Sequence, residues 1–268
     1  MKPIALLLLV VLLAGACTPP AFPTPSGAKS LTVLAAASLA ESFGEIGKLF
    51  EARYPNSKVT FNFAGSQQLA RQLDQGADAD VFASASPKNM ETVVQAGRID
   101  PAAVRNFAKN RLVVIFPLVN PGGLKELQDL AKPGLKLDLA DPSVPVGQYA
   151  LDFLDKAVRD PNFGSKFKED VLKNVVSYED NVKAVFTKVA LDEADAGIVY
   201  ATDVPTDLAA RVAKLEIPDA LNVVAVYPIA PILGSQNADL ARAFVDLVLS
   251  PDGQRVMQKY GFSPAAGQ

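Results

Sequence analysis

The sequence predicts an α/β fold with parallel strands, and three observations support this prediction. Eight short apolar runs are typical of buried strands, and they are residues 31–37, 59–64, 79–84, 111–117, 135–140, 175–177, 196–201 and 222–229. Stretches with helical periodicity separate these runs, and strands that alternate with helices favour a parallel sheet with crossover connections of the usual hand. The chain has 268 residues, more than one small core needs, so we expect one large or two smaller lobes.

Residues 1–17 are predicted to be an export signal that ends in a lipidated cysteine. Lys2 precedes an apolar run over residues 4–13, which is too short to span a bilayer comfortably. Small residues then lead to Cys17, the only cysteine, and this arrangement resembles a bacterial lipoprotein signal. Ala14 departs from that pattern, in which Leu is usual at this place. The alternative is an ordinary signal peptide that is cut near the alanine cluster, with Cys17 incidental or removed.

Residues 18–30 are predicted to form a tether between the membrane and the folded part of the chain. This stretch is rich in proline and has no apolar periodicity. The folded body is therefore expected to begin near residue 31.

The first predicted helix follows the first strand directly. Its apolar side chains recur as one face of a helix does, and they are Leu39, Phe43, Ile46, Leu49 and Phe50. A Tyr-Pro-Asn sequence at 54–56 predicts its end. Near the C-terminus, residues 237–249 and 251–260 are predicted helices, and Pro251 fits the first turn of the second. No strand is predicted after residue 229.

Composition excludes several classes of function. The chain has no histidine, which rules out a Ser-His-Asp triad, a Cys-His dyad and any histidine-ligated metal site. Its net charge is −3 and it has no basic run, so we expect no nucleic-acid partner, since phosphate contacts need clustered Lys and Arg. Ser-Lys chemistry and metal sites built from carboxylates alone stay open. Asp78 and Asp80 are a candidate pair, with turn or strand-edge hydrogen bonding as the alternative.

Four predicted strands end in small or polar residues at points where a helix begins at once. These junctions are residues 36–38, 64–66, 144–147 and 178–182. Each helix start would present unpaired N–H groups and the positive end of a helix dipole, and three of them carry a side chain able to cap. Four such ends that converge would bind a compact anion. The alternative, which each junction taken alone favours, is an ordinary capped helix.

The first three junctions offer different kinds of donor. Ser38 and Ser66 are predicted to cap their helices, and Gly65 permits a tight turn or the close approach of a ligand. Pro145 has no N–H, so the donors of the third junction begin at Val146.

The last junction and the strand that follows it raise opposite expectations. Glu179 and Asp180 would repel an anion unless they face outward or bind backbone N–H groups. Tyr200 ends a predicted strand, and its hydroxyl could donate to an anion. The alternative for Tyr200 is a side chain half-buried at a sheet edge.

Taken together, six segments resemble the bacterial molybdate-binding proteins of ABC uptake systems. They are residues 35–39, 65–70, 76–82, 141–150, 179–182 and 197–203, in the right order and spacing between about residues 31 and 263. The resemblance implies a two-lobed periplasmic-binding-protein fold of type II, with the ligand in the interlobe cleft and two crossover strands. Lobe I would comprise residues 31–110 and 224–268, and lobe II residues 111–223. The crossings would lie near 109–111 and 222–225.

The same resemblance implies which residues hold the oxyanion. Ser38 and Ser66 would supply hydroxyl and backbone donors, Val146 and Val182 backbone N–H groups, and Tyr200 its phenol. Relatives commonly carry Ala where this chain has Val146, which keeps the donor but adds bulk to the pocket. Molybdenum would be bound only as molybdate through these residues, with molybdate or tungstate as ligand and no cofactor.

The resemblance also implies a role outside the cytoplasm. The chain would be a monomeric, lipid-anchored solute-binding protein that delivers its oxyanion to the permease of an ABC transporter, and not an enzyme. Three alternatives stay open: a binding protein for sulfate or another oxyanion, a secreted carboxylate-dependent hydrolase, and a sensor or scaffold lipoprotein that keeps the fold without the ligand.

Overall fold

The computed structural model describes residues 29–204 and 211–265. The predicted signal, the lipidation at Cys17 and the tether up to residue 28 lie outside the described residues. Within the described ranges, no helix is long and apolar enough to cross a membrane.

Strands and helices alternate along most of the described chain. The strands are β1 (Lys29–Ala36), β2 (Ser57–Ala64), β3 (Val81–Ala83), β4 (Arg105–Pro117), β5 (Leu137–Ala140), β6 (Val175–Glu179), β7 (Ala196–Tyr200), β8 (Val212–Glu216), β9 (Val224–Pro231) and β10 (Ser263–Pro264). The α-helices are α1 (Ala40–Arg53), α2 (Ser66–Asp74), α3 (Pro87–Gln95), α4 (Pro145–Ala157), α5 (Phe167–Lys173), α6 (Val182–Ala190), α7 (Ala238–Leu249) and α8 (Pro251–Lys259). The α/β class predicted from the sequence is confirmed.

The sheet is mixed, whereas the sequence predicted parallel pairing. Its strand order is β2-β1-β3-β9-β4-β7-β5-β6, and β8 and β10 also pair with β4. β1 runs parallel to β2 and β3, and β5 runs parallel to β6 and β7. Every pair that involves β4 or β9 is antiparallel among the described strands. The prediction of parallel pairing was wrong for β4 and β9, because these two strands do not belong to βαβ units.

β4 divides the sheet into two sections. Residues 105–111 of β4 pair with β9, whereas residues 112–117 pair with β7 and β8. We call β1, β2, β3, β9, β10 and residues 105–111, with the helices and turns that join these strands, the first section. The second section is β5 to β8 and residues 112–117, with the helices and turns that join them. β4 begins six residues before its predicted start because Arg105 to Asn110 extend the pairing with β9. β8 and β10 were not predicted; both are short additions to β4, and β10 corrects the prediction that no strand follows residue 229.

Helices cover both faces of the first section. Val33 of β1 packs into the core on the α1 and α7 side, and its neighbour Leu34 packs on the α2 and α3 side. Both faces are buried here, and residues 33–36 of β1 are accordingly all apolar. On α1, Phe43 and Phe50 are fully buried as predicted, but Leu49 is 40% exposed. Leu49 lies at the edge of the apolar stripe, where 100° of rotation per residue turns it toward solvent.

Candidate functional site

A small cavity lies between the two sections, and all four predicted junctions line it. The five residues singled out from the sequence all belong to its wall, and they are Ser38, Ser66, Val146, Val182 and Tyr200. The cavity is small, so it suits one compact species and no extended ligand. Among the described residues that line it, none carries a formal charge.

Helix starts supply the backbone donors of this cavity. α2 begins at Ser66, α4 at Pro145 and α6 at Val182, while a single 3₁₀ turn precedes α1. Because Val146 and Val182 lie in the first turn of their helices, their N–H groups have no intrahelical acceptor. The positive ends of these helix dipoles therefore face the same small volume, which favours negative charge there.

The two serines do not cap helices, which corrects the sequence prediction. Ser66 is the first residue of α2, Gly65 is the N-cap, and the Ser66 Oγ accepts the Ala85 N–H at 3.0 Å. Since that Oγ already accepts, its own hydrogen can be donated to a ligand. Ser38 lies inside the 3₁₀ turn, and its Oγ is 3.0 Å from the hydroxyl of Tyr227.

Only one of the predicted junctions in the described chain has a side-chain cap. The Asn181 Oδ1 accepts the Ala184 N–H at 3.1 Å and so caps α6. The serine side chains were misassigned because their strongest partners lie far away in sequence, where no local pattern reports them.

Tyr200 ends β7 and is 1% exposed. Its hydroxyl has no hydrogen-bond partner among the described residues. Burial raises the pKa of this phenol well above its ordinary value, so it keeps its proton. A buried donor without an acceptor is costly, and this one lies at the wall of the cavity. It therefore marks a position that an acceptor would satisfy.

The acidic residues of the last junction are kept out of the cavity. Burial would raise the pKa of Glu179, but hydrogen bonds from Lys188 and Ser177 hold it below its ordinary value. The carboxylate of Glu179 lies 2.5 Å from the Lys188 Nζ and accepts the Ser177 hydroxyl at 2.7 Å. Asp180 is exposed and contributes its backbone carbonyl, which accepts the Gln67 Nε2 at 2.9 Å. Neither carboxylate lines the cavity.

Close approach of the two sections depends on Gly65. A Cβ at this position would overlap the carbonyl oxygen of Asp180 in the second section. The Gln67 hydrogen bond to the same carbonyl then ties the two sections together beside the cavity. The sequence predicted that Gly65 permits a tight turn or the close approach of a ligand. The contact with a backbone carbonyl of the other section was not predicted.

Asp80 anchors neighbouring segments through hydrogen bonds. Its carboxylate accepts the Thr32 N–H at 2.7 Å and the Ser235 hydroxyl at 2.5 Å, away from the cavity. Within residues 29–204 and 211–265, no group of three or more Asp, Glu, Cys or His is placed to hold a metal ion. The turn and strand-edge alternative for Asp80 is therefore the one that the geometry favours.

Two residues behind the cavity were missed at the level of sequence. Tyr227 on β9 contacts Ser38, and Asn110 on β4 contacts Tyr227. Both side chains are buried, at 0% and 6% exposure. The sequence carries no signal for them, because a tyrosine in an apolar run predicts only a buried core residue. Tyr227 also lies 189 positions from Ser38 in the chain.

Comparison with known proteins identifies a family and a set of similar proteins. The family of bacterial extracellular solute-binding proteins matches residues 31–263. The molybdate-binding protein ModA of Mycobacterium bovis is 39% identical over 244 residues, which cover 91% of this chain and 88% of the relative.

Solved structures of two binding proteins share the fold. The periplasmic molybdate-binding protein of Azotobacter vinelandii overlays with a TM-score of 0.74 at 19% identity, covering 88% of this chain and 99% of that one. The sulfate-binding protein SubI of Mycobacterium tuberculosis overlays with a TM-score of 0.78 at 18% identity, covering 89% of this chain and 88% of that one. At these identities the likeness shows the two-lobed fold of type II periplasmic binding proteins, and that fold is the one predicted.

Proposed function

Because this chain belongs to the bacterial extracellular solute-binding proteins, we propose that it captures molybdate or tungstate in the cavity and delivers it to an ABC permease. The observation that carries the proposal is the convergence of five donor-bearing residues on one uncharged cavity between the two sections. The ModA relative at 39% identity supports molybdate as the ligand.

The chemistry of the wall suits a fully ionised tetrahedral oxyanion. Such an ion offers acceptors only, and the wall offers first-turn N–H groups, the hydroxyls of Ser38 and Ser66 and the phenol of Tyr200, which has no partner within residues 29–204 and 211–265. Preorganised helix ends provide these donors without a cation. Hydrogen phosphate brings a donor of its own, and the side chains of the five predicted ligand residues offer only hydroxyl oxygens as acceptors for it.

A sulfate-binding role is the second candidate, since the SubI structure shares this fold. Sulfate presents the same acceptors at shorter distances from its centre. We propose that the cavity favours the larger ion because a smaller one leaves long hydrogen bonds to the opposite helix ends. Size is then the only property that separates the two ligands.

Thermal unfolding of the folded body with each anion tests this proposal. A ligand that binds only the native state stabilises it by about 4 kcal/mol at a thousandfold excess over Kd. We expect large increases in melting temperature with molybdate and tungstate and small ones with sulfate and phosphate. No increase with either metal oxyanion refutes the transport proposal, and a sulfate response larger than the molybdate response would favour the second candidate.

Removal of single hydroxyls locates the ligand. We expect Ser38→Ala and Ser66→Ala each to weaken molybdate binding while the protein remains folded, since a hydrogen bond to a charged group contributes about 1.5–3 kcal/mol. Isothermal titration calorimetry measures the Kd and far-UV circular dichroism checks the fold. Unchanged affinity in both variants would place the ligand elsewhere.

We also propose that lobe I comprises residues 31–110 and 224–268, and lobe II residues 111–223. The exchange of partners along β4 after Arg111 and the start of β9 at Val224 support these boundaries. Closing of the lobes over the anion would be a hinge motion of these two strands.

The anchor is a proposal of its own. We propose that Cys17 is lipidated, that residues 18–30 form the tether, and that the monomeric protein therefore works on the outer face of a membrane. Metabolic labelling with a radioactive fatty acid tests this, with Cys17→Ser as the matched control. Equal labelling of both proteins would rule out this anchor.

A further inference from the structure

Behind Ser38 lies a chain of buried side chains that joins the two sections. The Ser38 Oγ is 3.0 Å from the Tyr227 hydroxyl, and the Asn110 Nδ2 is 3.4 Å from the same hydroxyl. The Asn110 Nδ2 also donates to the Thr202 Oγ1 at 2.7 Å, in the turn that follows β7. Asn110 and Tyr227 lie on β4 and β9, the strands that pair where the two sections meet.

The direction of these hydrogen bonds is determined by a backbone group. The Asn110 Oδ1 accepts the backbone N–H of Arg111 at 2.9 Å, so the amide nitrogen must be the atom that faces Tyr227 and Thr202. An amide nitrogen only donates, so the Tyr227 oxygen accepts from Asn110. Its own hydrogen is then available to the Ser38 Oγ.

Tyr227 keeps that hydrogen at any ordinary pH. Its side chain is fully buried, and burial raises the pKa of the phenol far above its usual range. When Tyr227 donates to the Ser38 Oγ, the hydroxyl hydrogen of Ser38 is left to point elsewhere, and Ser38 lines the cavity. In the reverse arrangement Ser38 would turn a lone pair to the anion, which would repel it.

We propose that Asn110 and Tyr227 are positioning residues that orient the hydroxyl of Ser38 as a donor to the bound oxyanion. This inference rests on the proposed function of the cavity and extends it from the wall to the strands behind it. Because Thr202 takes the second amide hydrogen, residues of both sections hold Asn110 in place. The donor at Ser38 is thereby preorganised before the ligand arrives.

A double-mutant cycle distinguishes positioning from structural support. The variants are Tyr227→Phe, Ser38→Ala and the combination of both, with Kd for molybdate measured by isothermal titration calorimetry. We expect Tyr227→Phe to weaken binding about tenfold, Ser38→Ala to weaken it at least as much, and the double variant to bind like Ser38→Ala alone. Tyr54→Phe removes the same atom from a tyrosine that packs on Phe50, remote from the cavity, and should leave the Kd unchanged.

Each outcome has a definite meaning. Additive effects of Tyr227→Phe and Ser38→Ala overturn the inference, as does a Tyr227→Phe variant that binds like Tyr54→Phe. If the wild-type protein binds neither molybdate, tungstate nor sulfate, the proposed function fails and the inference fails with it. Should Tyr227→Phe not fold by circular dichroism, the same cycle with Asn110→Ala decides, and additivity there refutes the inference.

Discussion

Removal of the Tyr200 hydroxyl should weaken anion binding without lowering the stability of the ligand-free protein. The phenol is 1% exposed and lacks a hydrogen-bond partner among the described residues. Tyr200→Phe deletes this one oxygen and keeps the ring, whose centroid lies 5.9 Å from the centroid of the Tyr227 ring. The substitution therefore tests whether that donor belongs to a ligand.

The magnitudes follow from the surroundings of the hydroxyl. A buried polar group without a partner costs about 1–3 kcal/mol, so its removal should leave the melting temperature of the ligand-free protein unchanged or raise it. A hydrogen bond to a charged acceptor contributes about 1.5–3 kcal/mol, and its loss should weaken molybdate binding roughly 10- to 150-fold.

Two measurements on the same protein test this pair of effects. Differential scanning calorimetry without ligand gives the melting temperature, and titration calorimetry with molybdate gives the Kd; Tyr54→Phe is the matched control. A lower melting temperature of ligand-free Tyr200→Phe would show that the hydroxyl has a structural partner. An unchanged Kd would show that it does not touch the ligand, and either result refutes the reasoning.

Three further predictions concern the cleft and buried charge. Gly65→Ala should weaken molybdate binding strongly with a small effect on folding, because its methyl group would hold the two sections apart; titration calorimetry measures this. Lys183→Met should lower the free energy of unfolding, measured with urea, by about 3–5 kcal/mol, because the Lys183 Nζ lies 3.1 Å from the fully buried carboxylate of Asp203. Glu41 is the exposed ion-pair partner of the same lysine, and Glu41→Gln should cost only about 0–1 kcal/mol. Burial and a neighbouring carboxylate raise the pKa of Asp138 to about 7, so the native state keeps a proton that the unfolded state releases near 3.8. The free energy of unfolding should therefore fall as the pH rises from about 4 to 7, and Asp138→Asn should flatten that slope.

Each of these predictions has an outcome that contradicts it. Normal affinity in Gly65→Ala would mean that the sections need not approach as closely as they do here. Equal losses in Lys183→Met and Glu41→Gln would mean that Asp203 is compensated by something other than the lysine. An Asp138→Asn variant with the slope of the wild type would place the titrating group elsewhere.

Much of the fold could be predicted from the sequence because strands and helices carry local periodicities. The runs that became β1, β2 and β5 to β7 were apparent, as were α1 and the two C-terminal helices. β10 has two residues, β8 carries Lys214 and Glu216, and the first residues of β4 are largely polar, so none of these segments forms an apolar run that would predict a strand. Pairing partners lie far apart in the chain, and strand lengths depend on them.

The candidate site shows the same division. The backbone donors could be predicted from the sequence, since a helix that begins directly after a strand exposes N–H groups wherever the helix lies. The sequence also determined what is missing, namely histidine and any basic cluster. Tertiary contacts determine where the serine hydroxyls point and place Asn110 and Tyr227 behind Ser38. They also leave the Tyr200 hydroxyl without a partner in the described part of the chain. A helix start is formed by neighbouring residues, whereas the partner of a hydroxyl is whichever atom the folded chain brings within about 3 Å of it.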